Sequence, residues 1–270
     1  MSHDDFEDVI YEEQGRVATI TINRPDRMNS FRSSNSKFDG GTYEELTEAI
    51  MRAGWNRNIG VIVLTGAGSR AFTVGGDTGD SRTKNTGRGI TGVPGEELHA
   101  SIRSVPKPVI AKVRGYAIGG GNVLVTLCDL AIASDNAVFG QVGPKMGSVD
   151  PGFGTAMLSR VIGEKKAREL WFLCRRYSAE EALAMGLVNC VVPDDQLDAE
   201  VDRWCEEIAN MSPTAIGIAK ASFNADSEHL RGQSALGFHA TALYRYSAEA
   251  KEAGQAFREK RKPNFASIES

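Results

Sequence analysis

The chain of 270 residues lacks the features that mark several large classes of protein. Its 31 basic residues are outnumbered by 35 acidic ones, so no basic excess points to a nucleic-acid partner. No uninterrupted apolar run reaches the roughly 18 residues that a membrane-spanning helix needs. The acidic start, MSHDDFEDVIYEEQ, does not contain the apolar core of a signal peptide. These absences predict a cytoplasmic protein with no nucleic-acid or membrane partner.

Cysteine and histidine are also scarce, and neither is arranged for familiar chemistry. The 4 cysteines are far apart and form no CxxC pair, which is typical of reduced thiols. The 4 histidines have no metal-ligand spacing, and no GxSxG motif supplies a serine nucleophile. We therefore predict no metal site, and we interpret His99 as a solvated or helix-capping side chain.

The pattern of apolar residues predicts strands in the first two thirds of the chain and helices in the last third. RVATITI, from Arg16 to Ile22, alternates with period two, and short apolar runs predict further strands at Val61–Leu64, Val109–Val113 and Leu187–Val192. Helical spacing continues from Gln196 almost to the end of the chain. No linker separates the two parts, so we predict one domain over residues 1–270, with a core over about 1–195 and a helical segment over about 196–270.

Glycine is plentiful, and two glycine motifs carry the functional signal. The first is Val74-Gly75-Gly76-Asp77, and the second is Gly119-Gly120-Gly121 at the start of an apolar helix. Backbone without Cβ atoms can approach a ligand, and the free N–H groups at a helix start attract anionic oxygen. The pattern thus predicts an oxyanion site, with close helix–sheet packing as the alternative. A third motif, GxGxxA from Gly66, matches the glycine spacing of a dinucleotide-binding fingerprint. No helical pattern begins at this motif, which argues against nicotinamide binding.

Taken together, the motifs resemble one family. The chain resembles the crotonase (enoyl-CoA hydratase/isomerase) superfamily over essentially its whole length. The segments that carry the resemblance are AFTVGGD, KPVIAKVRGYAIGGG, CDLAIAS, FGQVGPKMGSVD and the closing EKRKPNF. The resemblance implies an α/β fold, a spiral of ββα repeats with a C-terminal helical extension that serves trimerisation or acts as a lid. It also implies a homotrimer or homohexamer and an acyl-CoA thioester as substrate, with no tightly bound cofactor.

The resemblance also implies the residues of the site. The thioester oxygen would accept hydrogen bonds from the backbone N–H groups of Gly76 and Gly120, with Ser148 and Asp150 as the catalytic side chains. Asp150 has an alternative role as a helix N-cap, because Pro151 follows it. Substrate and coenzyme A would contact Val74, Gly75, Asp77, Tyr116, Ala117, Ile118, Gly119, Gln141, Gly143, Trp171, Tyr244, Arg245 and Lys260.

Departures from the family pattern narrow the range of reactions that the chain could catalyse. Hydratases of this family carry one catalytic Glu two residues after the glycine triplet and another two residues after the FxQ element, where this chain has Val123 and Gly143. Without that pair, hydration of an enoyl-CoA lacks its general acid and base. The retained Ser148 and Asp150 resemble the branch of 2-ketocyclohexanecarboxyl-CoA hydrolase and 1,4-dihydroxy-2-naphthoyl-CoA synthase.

Within that branch, GQVGPKMGSVDPG resembles the ring-opening hydrolase more than the ring-closing synthase. We therefore predict hydrolytic ring cleavage of a cyclic β-keto acyl-CoA in the degradation of alicyclic or aromatic acids. The synthase reaction and a non-catalytic RNA- or protein-binding homologue remain as alternatives.

Two further expectations follow from the branch. Its synthases hold a bicarbonate at positions that match Gln141, Gly143 and Trp171, so bicarbonate is a candidate ligand, with a core role for Trp171 as the alternative. The branch also brings a C-terminal tyrosine to the neighbouring subunit's site, at a position occupied here by Arg245 between Tyr244 and Tyr246. Either a flanking tyrosine or a cation is therefore expected to meet the substrate.

Overall fold

The computed structural model describes residues 5–79, 95–149 and 152–268, and its strands form two sheets. The strands are β1 (Val9–Gln14), β2 (Val17–Ile22), β3 (Val61–Gly66), β4 (Ala71–Thr73), β5 (Val109–Val113), β6 (Tyr116–Ile118), β7 (Leu130–Ser134), β8 (Val138–Gly140), β9 (Arg176–Ser178) and β10 (Cys190–Val192). The larger sheet has the order β1-β2-β3-β5-β7-β10, and the smaller has the order β4-β6-β8-β9.

Helices follow the strands and then dominate the end of the chain. They are α1 (Gly41–Trp55), α2 (Gly95–Ser104), α3 (Gly120–Leu127), α4 (Gly143–Met146), α5 (Phe153–Ile162), α6 (Glu164–Leu173), α7 (Ala179–Ala184), α8 (Leu197–Ala209), α9 (Pro213–Ala225), α10 (Arg231–Tyr244) and α11 (Ala248–Arg258). None of the helices within the described ranges combines the length and the apolar character needed to cross a bilayer.

The chain alternates regularly between the two sheets. A strand of the larger sheet, a strand of the smaller sheet and a helix follow one another in β3-β4-α2, β5-β6-α3 and β7-β8-α4. Within each sheet the corresponding strands pair in parallel: β3 pairs with β5 and β5 with β7, and β4 pairs with β6 and β6 with β8. This arrangement is the spiral of ββα repeats that the resemblance implies, so the predicted fold class is confirmed.

The larger sheet is buried on both faces, which explains the uninterrupted apolar run of β3. Ile62 and Leu64 join the main core, whereas Val61 and Val63 pack in a second cluster with Leu197 and other residues of α8. A parallel strand that is covered on both sides is expected to be apolar throughout rather than alternating. The GxGxxA motif after β3 leads into β4 and not into a helix, as the sequence pattern indicates.

Several predicted element boundaries shift for local reasons. The strand expected at Leu187–Val192 is reduced to β10, because the Leu187 N–H donates to the Ala182 carbonyl at 2.9 Å and closes the end of α7. The last third is helical as predicted. Its division from the core at about residue 195 and the state of oligomerisation stay predictions.

Candidate active site

Two glycine-rich turns meet at one edge of the smaller sheet. The adjacent parallel strands β4 and β6 end next to each other, and Val74–Asp77 and Gly119–Gly120 follow them. Gly75 has a φ of +77°, and a Cβ atom added to it would stand 2.5 Å from the Gly120 nitrogen. A Cβ atom on Gly120 would in turn lie 3.0 Å from the Gly75 Cα. Only glycine allows this approach, so the close-packing interpretation of the motifs is correct for Gly75 and Gly120.

The same approach leaves two backbone N–H groups without protein acceptors. Phe31 donates its N–H to the Gly75 carbonyl and accepts one from Asp77, both at 2.8 Å, so the intervening Gly76 turns its own N–H away from Phe31. Gly120 is the first residue of α3, where no intrahelical acceptor exists. Among the described residues neither amide has a hydrogen-bond acceptor, and both residues line one cavity. Such a pair of amides can stabilise negative charge on one oxygen atom.

This cavity has a volume of about 370 Å³ and receives most of the predicted site residues. Those that line it are Val74, Gly76, Asp77, Gly119, Gly120, Gln141, Gly143, Ser148, Trp171 and Arg245. The Ser148 N–H donates to the Gly143 carbonyl at 2.9 Å, and its hydroxyl has no partner among the described residues. Asp150, the predicted catalytic carboxylate, lies outside the described residues.

Other predicted contacts do not reach the cavity wall. Tyr116 is exposed, whereas Ala117 and Ile118 are buried within β6. Gly75 is buried behind the two amides. Tyr244 and Lys260 also lie outside the cavity lining. For these positions the cavity supports no side-chain contact with an acyl group, and a role for Lys260 in binding the nucleotide of coenzyme A stays a prediction.

The C-terminal helix pair supplies a cation to the cavity. Arg245 lines it, while Tyr246 is 74% exposed on the outer surface and Tyr244 lies outside the lining. Of the three neighbouring residues Arg245 is the one on the cavity wall, and which of them meets the substrate stays a prediction.

The described part of the cavity wall contains one carboxylate, Asp77, and it is already engaged. Its oxygens accept hydrogen bonds from the Gly79 N–H at 2.9 Å and from the Arg24 guanidinium at 3.1 Å. Burial tends to raise the pKa of Asp77, but the bonds from Gly79 and Arg24 outweigh burial and lower it. The Asp77 carboxylate is therefore ionised and turned toward Arg24, and it is poorly suited to carry a proton to a substrate.

The two positions where hydratases carry glutamates both line the cavity. Val123 presents an apolar side chain there. At Gly143 a Cβ atom would stand 3.0 Å from the Ser148 carbonyl oxygen and 3.4 Å from the Trp171 ring. A side chain at Gly143 would therefore require the Ser148 backbone to shift by a few tenths of an ångström, so a glutamate there would press on the Ser148 loop.

The residues expected to hold bicarbonate are close to this point but are not equivalent. Gln141 is 1% exposed, and its amide Nε2 has no hydrogen-bond partner among the described residues. Trp171 lines the cavity as well, but it donates its indole N–H to the Gly154 carbonyl at 3.3 Å. A bicarbonate held by these residues stays a prediction.

His99 is a residue of the cavity wall that the sequence interpretation missed. The expectation of a solvated or capping side chain is wrong, because His99 is 5% exposed and lines the cavity. Burial without a hydrogen-bond partner lowers its pKa to about 4. The signal was present in the helical spacing of α2, where Gly95, Leu98, His99 and Ile102 fall on one buried stripe.

The comparisons with known proteins agree with this architecture. The family model described as "Enoyl-CoA hydratase/isomerase" matches residues 12–268. A crystal structure of enoyl-CoA hydratase/isomerase from Pseudoalteromonas atlantica T6c is similar, with a TM-score of 0.85, 28% identity, and coverage of 96% of this chain and 100% of that one. Carnitinyl-CoA hydratase from Mycobacterium avium gives a TM-score of 0.82, 28% identity, and coverage of 97% and 99%. Enoyl-CoA hydratase from Bacillus anthracis gives 0.72, 31% identity, and coverage of 96% and 99%.

Proposed function

Because this chain belongs to the enoyl-CoA hydratase/isomerase family, we propose that it acts on an acyl-CoA thioester, and that its reaction is hydrolytic cleavage of a carbon–carbon bond in a cyclic β-keto acyl group. The product would be an open-chain dicarboxylic mono-CoA thioester of the pimeloyl-CoA type. The observation that carries the proposal is the pairing of the Gly76 and Gly120 amides beside Val123 and Gly143, which replace the acid–base pair of a hydratase.

The proposed mechanism uses the two amides to hold charge. The thioester oxygen accepts hydrogen bonds from Gly76 and Gly120, and water adds to the ring ketone with help from Asp150 and Ser148. The bond between the ketone carbon and the α-carbon then breaks, and its electron pair passes into the thioester, whose enolate oxygen is stabilised by the amides. A proton derived from the added water ends on the α-carbon, so the net change is the addition of one water molecule.

Support for the roles of Ser148 and Asp150 comes from what else lines the cavity. Asp77 is bonded to Arg24, and Val123 and Gly143 carry no acid. The hydroxyl of Ser148 lies on the cavity wall with no partner among the described residues, so it is free to orient water or a carboxylate. Asp150 follows Ser148 by two residues in the sequence, and we propose it as the carboxylate that activates water.

Mass spectrometry of CoA thioesters tests the reaction directly. Incubation with 2-ketocyclohexanecarboxyl-CoA is expected to give a product heavier by one water, whereas crotonyl-CoA is expected to stay unchanged. Formation of naphthoyl product from o-succinylbenzoyl-CoA would instead identify the ring-closing reaction, which needs the same enolate stabilisation. Hydration of crotonyl-CoA at a rate comparable to ring cleavage would contradict the argument from Val123 and Gly143.

Asp150→Asn is the variant that tests the carboxylate, with Asp195→Asn as its matched control. Asp195 is exposed on a short helical turn before α8, so its loss of charge should leave the rate unchanged. We expect Asp150→Asn to lose about a hundredfold or more in kcat, the scale on which general acid–base groups contribute. Ring cleavage by Asp150→Asn at the rate of the control would remove Asp150 from the mechanism.

Bicarbonate and the assembly complete the proposal. Among the described residues the Gln141 amide has no hydrogen-bond acceptor, so it can donate to an anion, and we include bicarbonate as a ligand. An unchanged rate of ring cleavage in bicarbonate-free buffer would exclude bicarbonate.

We also propose a homotrimer or a hexamer of paired trimers. Exposed apolar side chains on α9 and α10, among them Phe223 and Leu243, are consistent with such an assembly, and sedimentation measures it.

A further inference from the structure

One wall of the cavity is aromatic and begins beside the oxyanion amides. We call Phe31, Tyr43 and Phe238 the aromatic wall. The Phe31 ring edge lies 3.6 Å from the place of a Cβ atom on Gly120, and its centroid is 5.1 Å from that of Tyr43 in an edge-to-face contact. Tyr43 and Phe238 both approach Gly95, the first residue of α2. A planar or cyclic acyl group held at the amides would therefore pack against rings rather than against flexible side chains.

His99 interrupts this apolar surface with a single polar ring. Its imidazole lies 5.5 Å from the Phe238 ring, lines the same cavity and is 5% exposed. Neither ring nitrogen has a hydrogen-bond partner among the described residues, and Nδ1 is fully shielded. At neutral pH the imidazole is uncharged, since burial lowers its pKa to about 4. A neutral imidazole offers one donor and one acceptor.

An unpaired polar group inside a protein is costly, and a ligand can remove that cost. Leaving a buried donor or acceptor without a partner costs about 1–3 kcal/mol. Nδ1 is shielded from any ligand, whereas Nε2 keeps some accessible surface. A hydrocarbon ring bound in the cavity would exclude water from Nε2 and leave it unpaired, whereas a ring that carries an oxygen atom could form a hydrogen bond with Nε2 and still pack against the aromatic wall.

We propose that His99 is a specificity-determining residue that hydrogen-bonds an oxygen atom on the ring of the acyl group. The proposal rests on the proposed function in that the cavity receives a cyclic acyl-CoA, and it adds the residue that distinguishes an oxygenated ring from a hydrocarbon ring. It assigns His99 to recognition and not to proton transfer.

The test measures binding and needs no turnover. Dissociation constants are measured by calorimetry for cyclohexanecarboxyl-CoA and for its 2-, 3- and 4-hydroxy derivatives, since none of the four is a β-keto thioester that can be cleaved. His99→Phe keeps a flat ring in the aromatic wall and removes the hydrogen bond. We expect it to reduce the preference for at least one hydroxylated ligand over cyclohexanecarboxyl-CoA by about 5- to 150-fold, which is 1–3 kcal/mol, because the hydrocarbon ring no longer leaves an imidazole unpaired.

Two more variants separate recognition from structure. His99→Gln retains a donor and an acceptor and should recover part of the discrimination, whereas His99→Leu removes the hydrogen bond with a smaller side chain and serves where the Phe variant is unstable. Equal weakening of all four ligands, or no change for any of them, would overturn the proposal. Retained discrimination without ring cleavage of 2-ketocyclohexanecarboxyl-CoA would refute the proposed function alone.

Discussion

The contact between Gly75 and Gly120 makes Gly75→Ala a sharp test of the oxyanion site. The new methyl group would stand 2.5 Å from the Gly120 nitrogen and 2.9 Å from its Cα, so the Gly120 backbone must move. The substitution itself replaces neither of the two proposed donor residues and no side chain of the cavity. Loss of one oxyanion donor typically reduces kcat by about 100- to 1,000-fold, or about 3–4 kcal/mol of transition-state stabilisation. We expect a loss of that size in ring cleavage.

Gly68→Ala is the matched control, because it shares the backbone strain and lacks the collision. Gly68 has a φ of +76°, against +77° for Gly75, and the nearest atom to its added Cβ is 3.7 Å away on Pro25. A left-handed conformation costs a non-glycine residue about 1–2 kcal/mol, so both variants should lose stability by that amount or more. Only Gly75→Ala should lose kcat.

The assay combines urea unfolding with mass spectrometry of the CoA product, so that stability and rate are obtained from the same preparations. Equal kcat values for the two variants would refute the argument that the Gly75–Gly120 contact positions an oxyanion donor. An equal loss in Gly68→Ala would show that backbone strain alone accounts for the effect.

Two predictions concern stability. Lys220 is 6% exposed, and its Nζ donates hydrogen bonds to the Ile102 carbonyl at 2.8 Å, the Lys107 carbonyl at 2.8 Å and the Asp129 carboxylate at 2.7 Å. Lys220→Met should therefore lower the free energy of unfolding, measured in urea, by about 3–5 kcal/mol. Lys251→Met is the neutral control, since Lys251 is exposed on α11. Burial lowers the pKa of His99 from 6.5 to about 4, so as the pH falls the unfolded chain protonates at His99 before the folded chain does. The free energy of unfolding should therefore decrease by about 3 kcal/mol between pH 6.5 and pH 4. His99→Phe should lack this part of the pH dependence, and parallel pH profiles of stability for the two proteins would contradict a neutral buried His99.

The sequence predicts the fold well because the fold depends on local patterns repeated in order. Apolar strands such as Val109–Val113 and the glycine motifs at their ends recur along the chain, and each repeat places its motif at the same edge of a sheet. Parallel pairing of neighbouring strands then brings Gly76 and Gly120 together, although 43 intervening residues separate them in sequence. Periodicity alone does not fix how the strands align with one another, and the family motifs supply that alignment.

The surroundings of His99 were not predictable in the same way. Helical spacing puts His99 on the buried stripe of α2, but what covers it is Phe238 of α10, from the last part of the chain. No local pattern connects these two helices. Trp171 shows the same limit, because its indole partner is a main-chain carbonyl of Gly154, which no side-chain motif can reveal. Contacts between distant segments decide whether a polar side chain is satisfied by the protein or left for a ligand.

These differences explain how one scaffold can change its reaction without changing its charge-stabilising element. The amides of Gly76 and Gly120 belong to the backbone, so side-chain substitution around them would leave the proposed oxyanion site in place. The reaction is then selected by the groups that deliver protons and water, and here Val123 and Gly143 deliver none. Because a Cβ atom on Gly143 would press on the Ser148 carbonyl, the loss of the glutamate and the position of the Ser148 loop are physically coupled. A single substitution of Gly143 to Glu is therefore expected to displace the loop and abolish ring cleavage without creating a hydratase, and hydration of crotonyl-CoA by that variant would show that the loop and the carboxylate are independent.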